Sequence, residues 1–173
     1  MTKDANANAD DRLEFVVQRT LKAPRALAWE AFTQARHLVN WWGPKGFALD
    51  VVALDVRPGG VFHYRMSGPS EMWGRFVYRE LEPPARMTYV SSFSDPSGAV
   101  ARAPFSAHWP LEVFNVMTFD ETEGGTLLTL RARPMTEIAE ERAAFAGMFA
   151  SMRGGFGSTF DAFDVYLATL QEG

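Results

Sequence analysis

The spacing of hydrophobic residues changes three times between the amino and carboxyl ends of this chain. Residues 13–21 are rich in β-branched and apolar side chains between polar flanks, which is typical of a strand. Pro24 then opens a helix, at the first position where the missing N–H of proline costs nothing. A second short helix is predicted over residues 35–41, because Gly43 and Pro44 follow it and stop helices.

The middle of the chain has the period of two that strands show. We predict strands over residues 49–56, 61–67, 71–81, 86–93, 112–119 and 126–133. In the second of these, alternation places Phe62, Tyr64 and Met66 on one face and His63 and Arg65 on the other.

Glycine and proline mark the ends of these strands. Arg57-Pro58-Gly59-Gly60 predicts a tight turn, because proline presets φ and the glycine after it can adopt positive φ. Pro83-Pro84 breaks the next pair of strands, and Glu123-Gly124-Gly125 predicts a hairpin. Residues 94–110 predict an irregular stretch that is longer than most connections, and loops of this length are often lids or binding loops.

The last part of the chain predicts a long amphipathic helix. Residues 136–141 give it a polar, acidic start, which is favourable at a helix N-terminus. At 100° per residue, eight side chains fall within an arc of about 80°. They are Phe145, Phe149, Met152, Phe156, Phe160, Phe163, Leu167 and Leu170. Gly154-Gly155 is the point at which this helix could kink or split.

This order of elements indicates an α+β protein. One strand, two short helices, about six antiparallel strands and a long helix leave the sheet as the surface on which the apolar helix stripe can be buried. No repeat or change of composition divides the chain. We expect residues 13–173 to form a single domain, and residues 1–12, which have nothing to bury, to be a disordered tail.

The composition excludes several classes of protein. The chain of 173 residues has no cysteine, which excludes disulfides, thiolate metal sites and a cysteine nucleophile. A formal net charge of -4 argues against a nucleic-acid-binding surface. The sequence has neither a secretory signal nor an apolar run of about 18 residues, so we expect a cytoplasmic protein without a membrane span. Zinc, phosphate-loop, dinucleotide and serine-elbow motifs are absent, so we expect no cofactor and no metal.

The titratable residues form no recognisable catalytic set. His37, His63 and His108 lie in different predicted elements, so a shared metal site is not expected. Asp164 flanks the apolar helix stripe, and its pKa would rise if it pointed into a cavity. Solvation on the helix surface is the simpler interpretation of Asp164, and we assign no catalytic residue.

The feature that does suggest a binding site is the aromatic content, which is 13% of the chain, together with eight methionines. They either pack together as a core or line a cavity, and periodicity alone does not separate the two. The candidate ligand-binding residues, drawn from loops, strands and the last helix, are Trp41, Trp42, Phe62, Tyr64, Trp73, Phe93, Phe105, Trp109, Phe149, Met152, Phe156 and Phe160. Phe47 belongs to the same aromatic cluster.

Several spaced motifs resemble one known superfamily. Ala-Pro-Arg-Ala-Leu-Ala-Trp-Glu-Ala-Phe-Thr at residues 23–33, Trp41-Trp42-Gly43-Pro44 and Arg57-Pro58-Gly59-Gly60 are similar to the START-like (SRPBCC, polyketide cyclase) superfamily. Within it they resemble the branch of bacterial homologues of the activator of heat-shock-protein ATPase (Aha type). Trp109-Pro110-Leu111-Glu112 and Ser151-Met152-Arg153-Gly154 fit the same branch.

The resemblance implies a helix-grip fold, in which a curved antiparallel sheet of about six to seven strands surrounds a long C-terminal helix and encloses a cavity. Relatives in the superfamily bind lipids, hormones or polyketides, and a minority are enzymes. One departure is Gly155-Phe156, where relatives commonly have Gly-Trp. The change keeps an aromatic ring but removes an indole hydrogen-bond donor.

We therefore expect a module that binds a small apolar or aromatic molecule in this cavity. An enzyme of the cyclase or hydrolase kind stays open, and it requires Tyr64, Asp164 or an arginine to project into the cavity. An interaction module also stays open, either a chaperone partner or a homodimer, and it requires an exposed apolar patch. The motifs are evidence of the fold rather than of chaperone work.

Overall fold

The computed structural model describes residues 13–172, so the predicted disordered tail, residues 1–12, lies outside the described residues. The strands are β1 (Phe15–Leu21), β2 (Ala48–Leu54), β3 (Val61–Ser67), β4 (Glu71–Glu82), β5 (Arg86–Ser94), β6 (Val100–Ala101), β7 (Val113–Thr122) and β8 (Gly125–Pro134). The helices are α1 (Arg25–Thr33), α2 (Ala35–Leu38), α3 (Ala139–Gly147) and α4 (Phe149–Leu170). This order confirms the predicted α+β helix-grip architecture.

All strands belong to one antiparallel sheet in the order β1-β8-β7-β5-β4-β3-β2, with β6 paired to β5. The chain runs as a meander from β2 to β8, and the two-residue turn at Glu123 and Gly124 joins β7 to β8, as predicted. The connection through α1 and α2 carries the chain from β1 at one edge of the sheet to β2 at the other. As a result β1 and β8 bring the two ends of the domain together.

One face of the sheet, which we call the inner face, carries the large apolar side chains. Strand register places Phe62 opposite Phe76 and Tyr64 opposite Gly74. Phe76 also stacks on Tyr89, with ring centroids 4.1 Å apart. Because side chains alternate along a strand, the residues between these positions face the other way, on what we call the outer face.

Helix α4 buries its apolar stripe against the inner face. Phe160, Phe163 and Leu167 are each no more than 1% exposed. The ring of Phe163 stacks on Trp41 at 3.8 Å, and the Trp41 indole N–H donates a 3.0 Å hydrogen bond to the Ala31 carbonyl. This contact joins α4 to the α1–α2 segment.

The long helix is interrupted at a different place from the one the sequence suggested. It runs without a break through Gly154 and Gly155, where an added Cβ would meet no atom within 4 Å. The break lies at Met148, whose φ of -101° and ψ of 5° separate α3 from α4. The glycines therefore lie in a regular helix, and the irregular backbone is found at a residue that gave no sequence signal.

Two other expectations need correction. The stretch 94–110, predicted to be irregular throughout, contains the short strand β6, which pairs with the end of β5. In the turn before it, hydrogen bonds from the Ser97 hydroxyl and the Ala99 backbone N–H hold the pKa of Asp95 below its usual range. Helix α2, predicted to reach residue 41, ends at Leu38, because the backbone turns there to bring Trp41 under α4.

Within residues 13–172, no helix combines the length and the hydropathy needed to cross a bilayer.

The contact between α4 and the inner face predicts a large loss of stability when it is removed. Phe163→Ala should lower the free energy of unfolding by about 3–5 kcal/mol, since a fully buried ring leaves a cavity. Val165→Ala is the matched control on the same helix, because Val165 is 68% exposed and its loss should change stability by less than about 0.5 kcal/mol. Urea unfolding followed by circular dichroism measures both variants. Equal effects would mean that the stripe does not hold α4 in place.

Candidate functional site

An apolar cavity lies between the inner face, the 94–110 loop and the start of α4. Its volume is about 310 Å³, and none of the side chains that line it is charged. The lining includes eight of the candidate ligand-binding residues, Trp42, Tyr64, Trp73, Phe93, Phe105, Trp109, Met152 and Phe156. Residues far apart in the sequence therefore meet around one space, which we call the main cavity.

A smaller cavity of about 220 Å³ adjoins the main cavity. The two share the lining residues Trp42, Tyr64, Met66, Met152 and Phe156. We call these five residues the junction, since a molecule that passed from one cavity to the other would pass between them.

The other four candidates pack elsewhere. Trp41 is held by Phe163 and the Ala31 carbonyl, as described above. Phe62 packs edge-on against Phe76 within the sheet, at 5.3 Å. Phe149 contacts Phe15 and Phe145, and Phe160 is buried in the core beyond Phe156. Phe47 lies on a separate surface groove beside α4.

The structure also adds lining residues that the sequence analysis did not select. Phe76, Tyr89 and Asn115 all lie on the inner face and border the main cavity. The signal for Asn115 was present: it is a polar residue at an inward position of β7, where Val113 and Met117 are buried. Its amide nitrogen donates to Ser91 Oγ at 2.9 Å and to the Val113 carbonyl at 3.0 Å. These hydrogen bonds satisfy the amide nitrogen, so Asn115 is a paired polar group in the cavity wall.

Tyr64 reaches the main cavity because a glycine lies opposite it. A Cβ added at Gly74 would lie 2.6 Å from both Oη and Cζ of Tyr64, which is too close for nonbonded atoms. The phenol therefore rests on the backbone of β4, and its hydroxyl lies at the cavity wall.

Burial raises the pKa of Tyr64 to about 12, and the neighbouring Trp42 indole N–H opposes this rise. Burial also raises the pKa values of Tyr78 and Tyr89, with a further contribution from the nearby phenols. At neutral pH the Tyr64 phenol is thus protonated, and it can donate a hydrogen bond but is not a base.

The indole of Trp42 lies at the centre of the junction. Its ring contacts Phe76 edge-on at 5.6 Å and Tyr64 at 6.3 Å. The buried indole Nε1 makes no hydrogen bond of normal geometry to any residue of the described chain, although it is near enough to the Tyr64 oxygen to affect that phenol. Gly43, directly after it, has a positive φ of 108°, which turns the chain away and leaves the ring inside.

Aromatic contacts close the other end of the main cavity. Phe93 on β5 contacts Phe105, Phe105 contacts Trp109, and Trp109 contacts Phe145 on α3, each at 5.4–5.6 Å. Phe105 is still 51% exposed, so this wall is thin. Arg102 fixes the same loop by donating to the Trp109 carbonyl at 3.1 Å and to the Glu141 carboxylate at 3.3 Å.

Apart from Tyr64, the titratable residues singled out from the sequence lie outside both cavities. Asp164 accepts a 2.8 Å hydrogen bond from Arg19 Nε, in an ion pair that also includes Asp161. His37 Nδ1 lies 2.5 Å from the Tyr166 hydroxyl. Across residues 13–172, no group of three His, Asp or Glu side chains is arranged to hold a metal ion.

Because Gly74 lies so close to the Tyr64 ring, even the addition of one methyl group there should destabilise the protein. Gly74→Ala should lower stability by about 1–3 kcal/mol, because the new methyl group forces Tyr64 out of its position. Gly154→Ala is the control and should stabilise by up to about 1 kcal/mol, since its Cβ meets nothing in a regular helix. Thermal or urea unfolding compares the two. A neutral Gly74→Ala would show that the Tyr64 ring is free to move.

The raised phenol pKa values predict a loss of stability at high pH. Tyr64 has a folded-state pKa of about 12 against an ordinary value of 10, so its contribution is complete below about pH 10 and is lost as the pH rises toward 12. The unfolding free energy of the parent should therefore fall more steeply between pH 9.5 and 11 than that of Tyr64→Phe, by about 1 kcal/mol per pH unit. Urea unfolding over this range measures the difference, and identical slopes would contradict it.

Comparison with known proteins is consistent with this geometry. Residues 22–168 match the family described as activator of Hsp90 ATPase homolog 1-like protein. Protein Ms6760 from Mycobacterium smegmatis has a similar structure, with a TM-score of 0.73, 27% identity and coverage of 90% of both chains. A protein from Arthrobacter aurescens gives a TM-score of 0.74 at 21% identity, covering 92% of this chain and 88% of its own.

DynU16, a protein in the dynemicin biosynthetic locus, gives a TM-score of 0.63 at 19% identity, covering 90% of this chain and 47% of its own. Among curated proteins the comparison finds no match. The family match spans most of the chain and agrees with the motifs at residues 23–33, 41–44 and 57–60. The chain therefore belongs to the family of activator of Hsp90 ATPase homolog 1-like proteins, within the START-like (SRPBCC) superfamily.

Proposed function

We propose that this protein binds a small, uncharged, apolar or aromatic molecule in the main cavity. The observation that carries the proposal is the lining itself: a partly open space of about 310 Å³ is walled mainly by aromatic rings and methionine, without a charged side chain. Ligand sites of this kind are mostly apolar, have a few placed polar groups, and begin at about 300 Å³. The polar residues of the lining are Tyr64, Ser91, Ser92, Asn115 and Ser151, together with the indole groups of the tryptophans.

The size of the cavity sets the expected affinity. A ligand of about 20 heavy atoms that gains about 0.3 kcal/mol per atom binds with about 6 kcal/mol, which corresponds to tens of micromolar. The adjoining cavity of about 220 Å³ leaves room for a larger molecule, and so for tighter binding.

The fold supports the same proposal. START-like proteins commonly bind hydrophobic ligands, and the sequence motifs and the family match both assign the chain to that group. A catalytic role has less support, because neither Tyr64 nor Asp164 provides a base in the main cavity and no arginine lines it. Tyr64 is held protonated, and Asp164 is paired with Arg19 outside the cavity.

Phe156 lines both cavities, and its removal tests the proposal. Phe156→Ala should weaken binding of tetralin, a neutral bicyclic hydrocarbon, by at least about tenfold, because the ring is a shared wall. Its stability loss should stay below about 3 kcal/mol, since a ring that faces a cavity has fewer packing partners than a fully buried one. Ligand-observed NMR measures the binding and urea unfolding the stability.

Phe114→Ala is the matched control. Phe114 is also a partly buried phenylalanine, but it lies on the outer face under Arg133, so tetralin binding should not change. Native mass spectrometry of the purified protein, followed by organic extraction, shows in addition whether an apolar molecule copurifies. A protein that neither binds tetralin nor carries such a molecule would overturn the proposal.

A further inference from the structure

Tyr166 differs from the other tyrosines of the chain because it is not buried. Tyr64, Tyr78 and Tyr89 are each no more than 8% exposed, whereas Tyr166 on α4 is partly exposed and lines the surface groove beside that helix. The groove has a volume of about 640 Å³ and lies between residues 39–47 and one face of α4. That face carries Ser158, Asp161, Ala162, Val165, Tyr166 and Thr169. We call this space the α4 groove, and the proposed ligand-binding function does not use it.

The hydroxyl of Tyr166 contacts a buried imidazole. His37 on α2 is 5% exposed, and its Nδ1 lies 2.5 Å from the Tyr166 oxygen. In a hydrogen bond of this kind the hydroxyl donates and Nδ1 accepts, so the proton of the neutral ring is carried by Nε2. An imidazole in this arrangement can take a proton from the hydroxyl when the oxygen attacks a substrate.

The other nitrogen of the same ring faces a carboxylate. His37 Nε2 is buried, has no hydrogen bond of normal length within residues 13–172, and lies 3.6 Å from Glu30 Oε1 on α1. Arg36 donates to the same carboxylate oxygen at 2.9 Å and so holds it in place. A carboxylate on this side fixes the orientation of the ring and stabilises the imidazolium that forms when Nδ1 takes a proton. Hydroxyl, imidazole and carboxylate thus follow one another in the order that activates a nucleophile.

The lining of the α4 groove contains a cation and several apolar groups. Of its two charged side chains, Asp161 is paired with Arg19, which leaves the Lys45 ammonium as the charge in the described lining that can pair with a negative oxygen. Val39 and Phe47 provide apolar surface for a ring. A nucleophile with a base, a cation and a space beside them are the parts that acyl transfer requires.

We propose that the α4 groove is an acyl-transfer site that hydrolyses aryl esters, with Tyr166 as the nucleophile and His37 as its general base. The Tyr166 oxygen attacks the ester carbonyl carbon, and its proton passes to His37 Nδ1. The bond from that carbon to the aryl oxygen breaks, and the proton leaves with the released phenol. An aryl ester is required because its leaving group must depart about as readily as the attacking tyrosyl oxygen. Glu30 is a positioning residue, and Lys45 pairs with the carbonyl oxygen as it becomes negative.

Water completes the reaction by the same route. A water molecule attacks the acyl group on Tyr166, its proton passes to His37 Nδ1, and the bond between the acyl carbon and the Tyr166 oxygen breaks. The proton then returns to that oxygen, so that ester and water give acid and phenol. This site is separate from the main cavity, because Tyr166 and His37 line neither that cavity nor the smaller one.

Hydrolysis of 4-nitrophenyl acetate, followed by the absorbance of the released nitrophenolate, tests the three roles. Tyr166→Phe should reduce the rate to that of buffer, and His37→Gln should lower kcat by at least about a hundredfold, the contribution expected of a general base. Glu30→Gln should lower kcat by up to about fivefold without changing KM, as expected for a partly exposed ionic contact. His63→Gln is the matched control, because His63 is also a buried imidazole but contacts Trp73 instead of a tyrosine. Its kcat should equal that of the parent.

A trapping experiment in the unsubstituted protein does not depend on the folding of a variant. Phenylmethanesulfonyl fluoride forms a stable sulfonate ester with an activated hydroxyl and releases fluoride. Peptide mapping by mass spectrometry should locate this label on Tyr166, and labelling should stop ester hydrolysis. An unlabelled Tyr166, a parent rate equal to that of buffer, or equal rates in the parent and a folded Tyr166→Phe overturns the inference. Tetralin binding should be the same in Tyr166→Phe as in the parent, so the result leaves the proposed function to its own test.

Discussion

Burial of the α4 stripe against the inner face of the sheet is the interaction on which the rest of the structure depends. In the second half of α4 the stripe is packed into the core, where Phe163 stacks on Trp41 and Leu167 is buried. Over the first half the stripe packs on a second core cluster around Phe15 and Phe145, and Met152 and Phe156 there also line the main cavity. One helix thus packs against the core at one end and lines the main cavity at the other.

The distribution of charge follows from this arrangement. Ion pairs such as Arg19 with Asp164 lie beside the cavities rather than in them, where water still reaches both partners. The cavity lining includes neutral polar groups: Asn115 donates to Ser91 and to the Val113 carbonyl, and Tyr64 rests on Gly74. No charged side chain lines either of the two adjoining apolar cavities.

The 94–110 loop forms one wall of the main cavity. Its aromatic residues connect β5 to α3 through edge contacts, and Arg102 ties its backbone to Glu141. The exposed ring of Phe105 makes this the least covered wall.

The sequence by itself determined the α+β order of elements, the hairpin at Glu123 and Gly124, and the family, because periodicity, turn residues and spaced motifs are local properties of the chain. The sequence also identified the aromatic residues that meet around the sheet as candidate ligand-binding residues. Only the tertiary structure decided which of them face a space: Trp42 lines the cavities, whereas its neighbour Trp41 is packed under α4. The physical reason is that a repeat of two or 3.6 residues fixes the face on which a side chain lies, but not the distance to the element opposite. The space for the Tyr64 ring depends likewise on Gly74, ten residues away on the next strand. The register of the sheet places these two residues opposite each other, and it is not a local property of the chain.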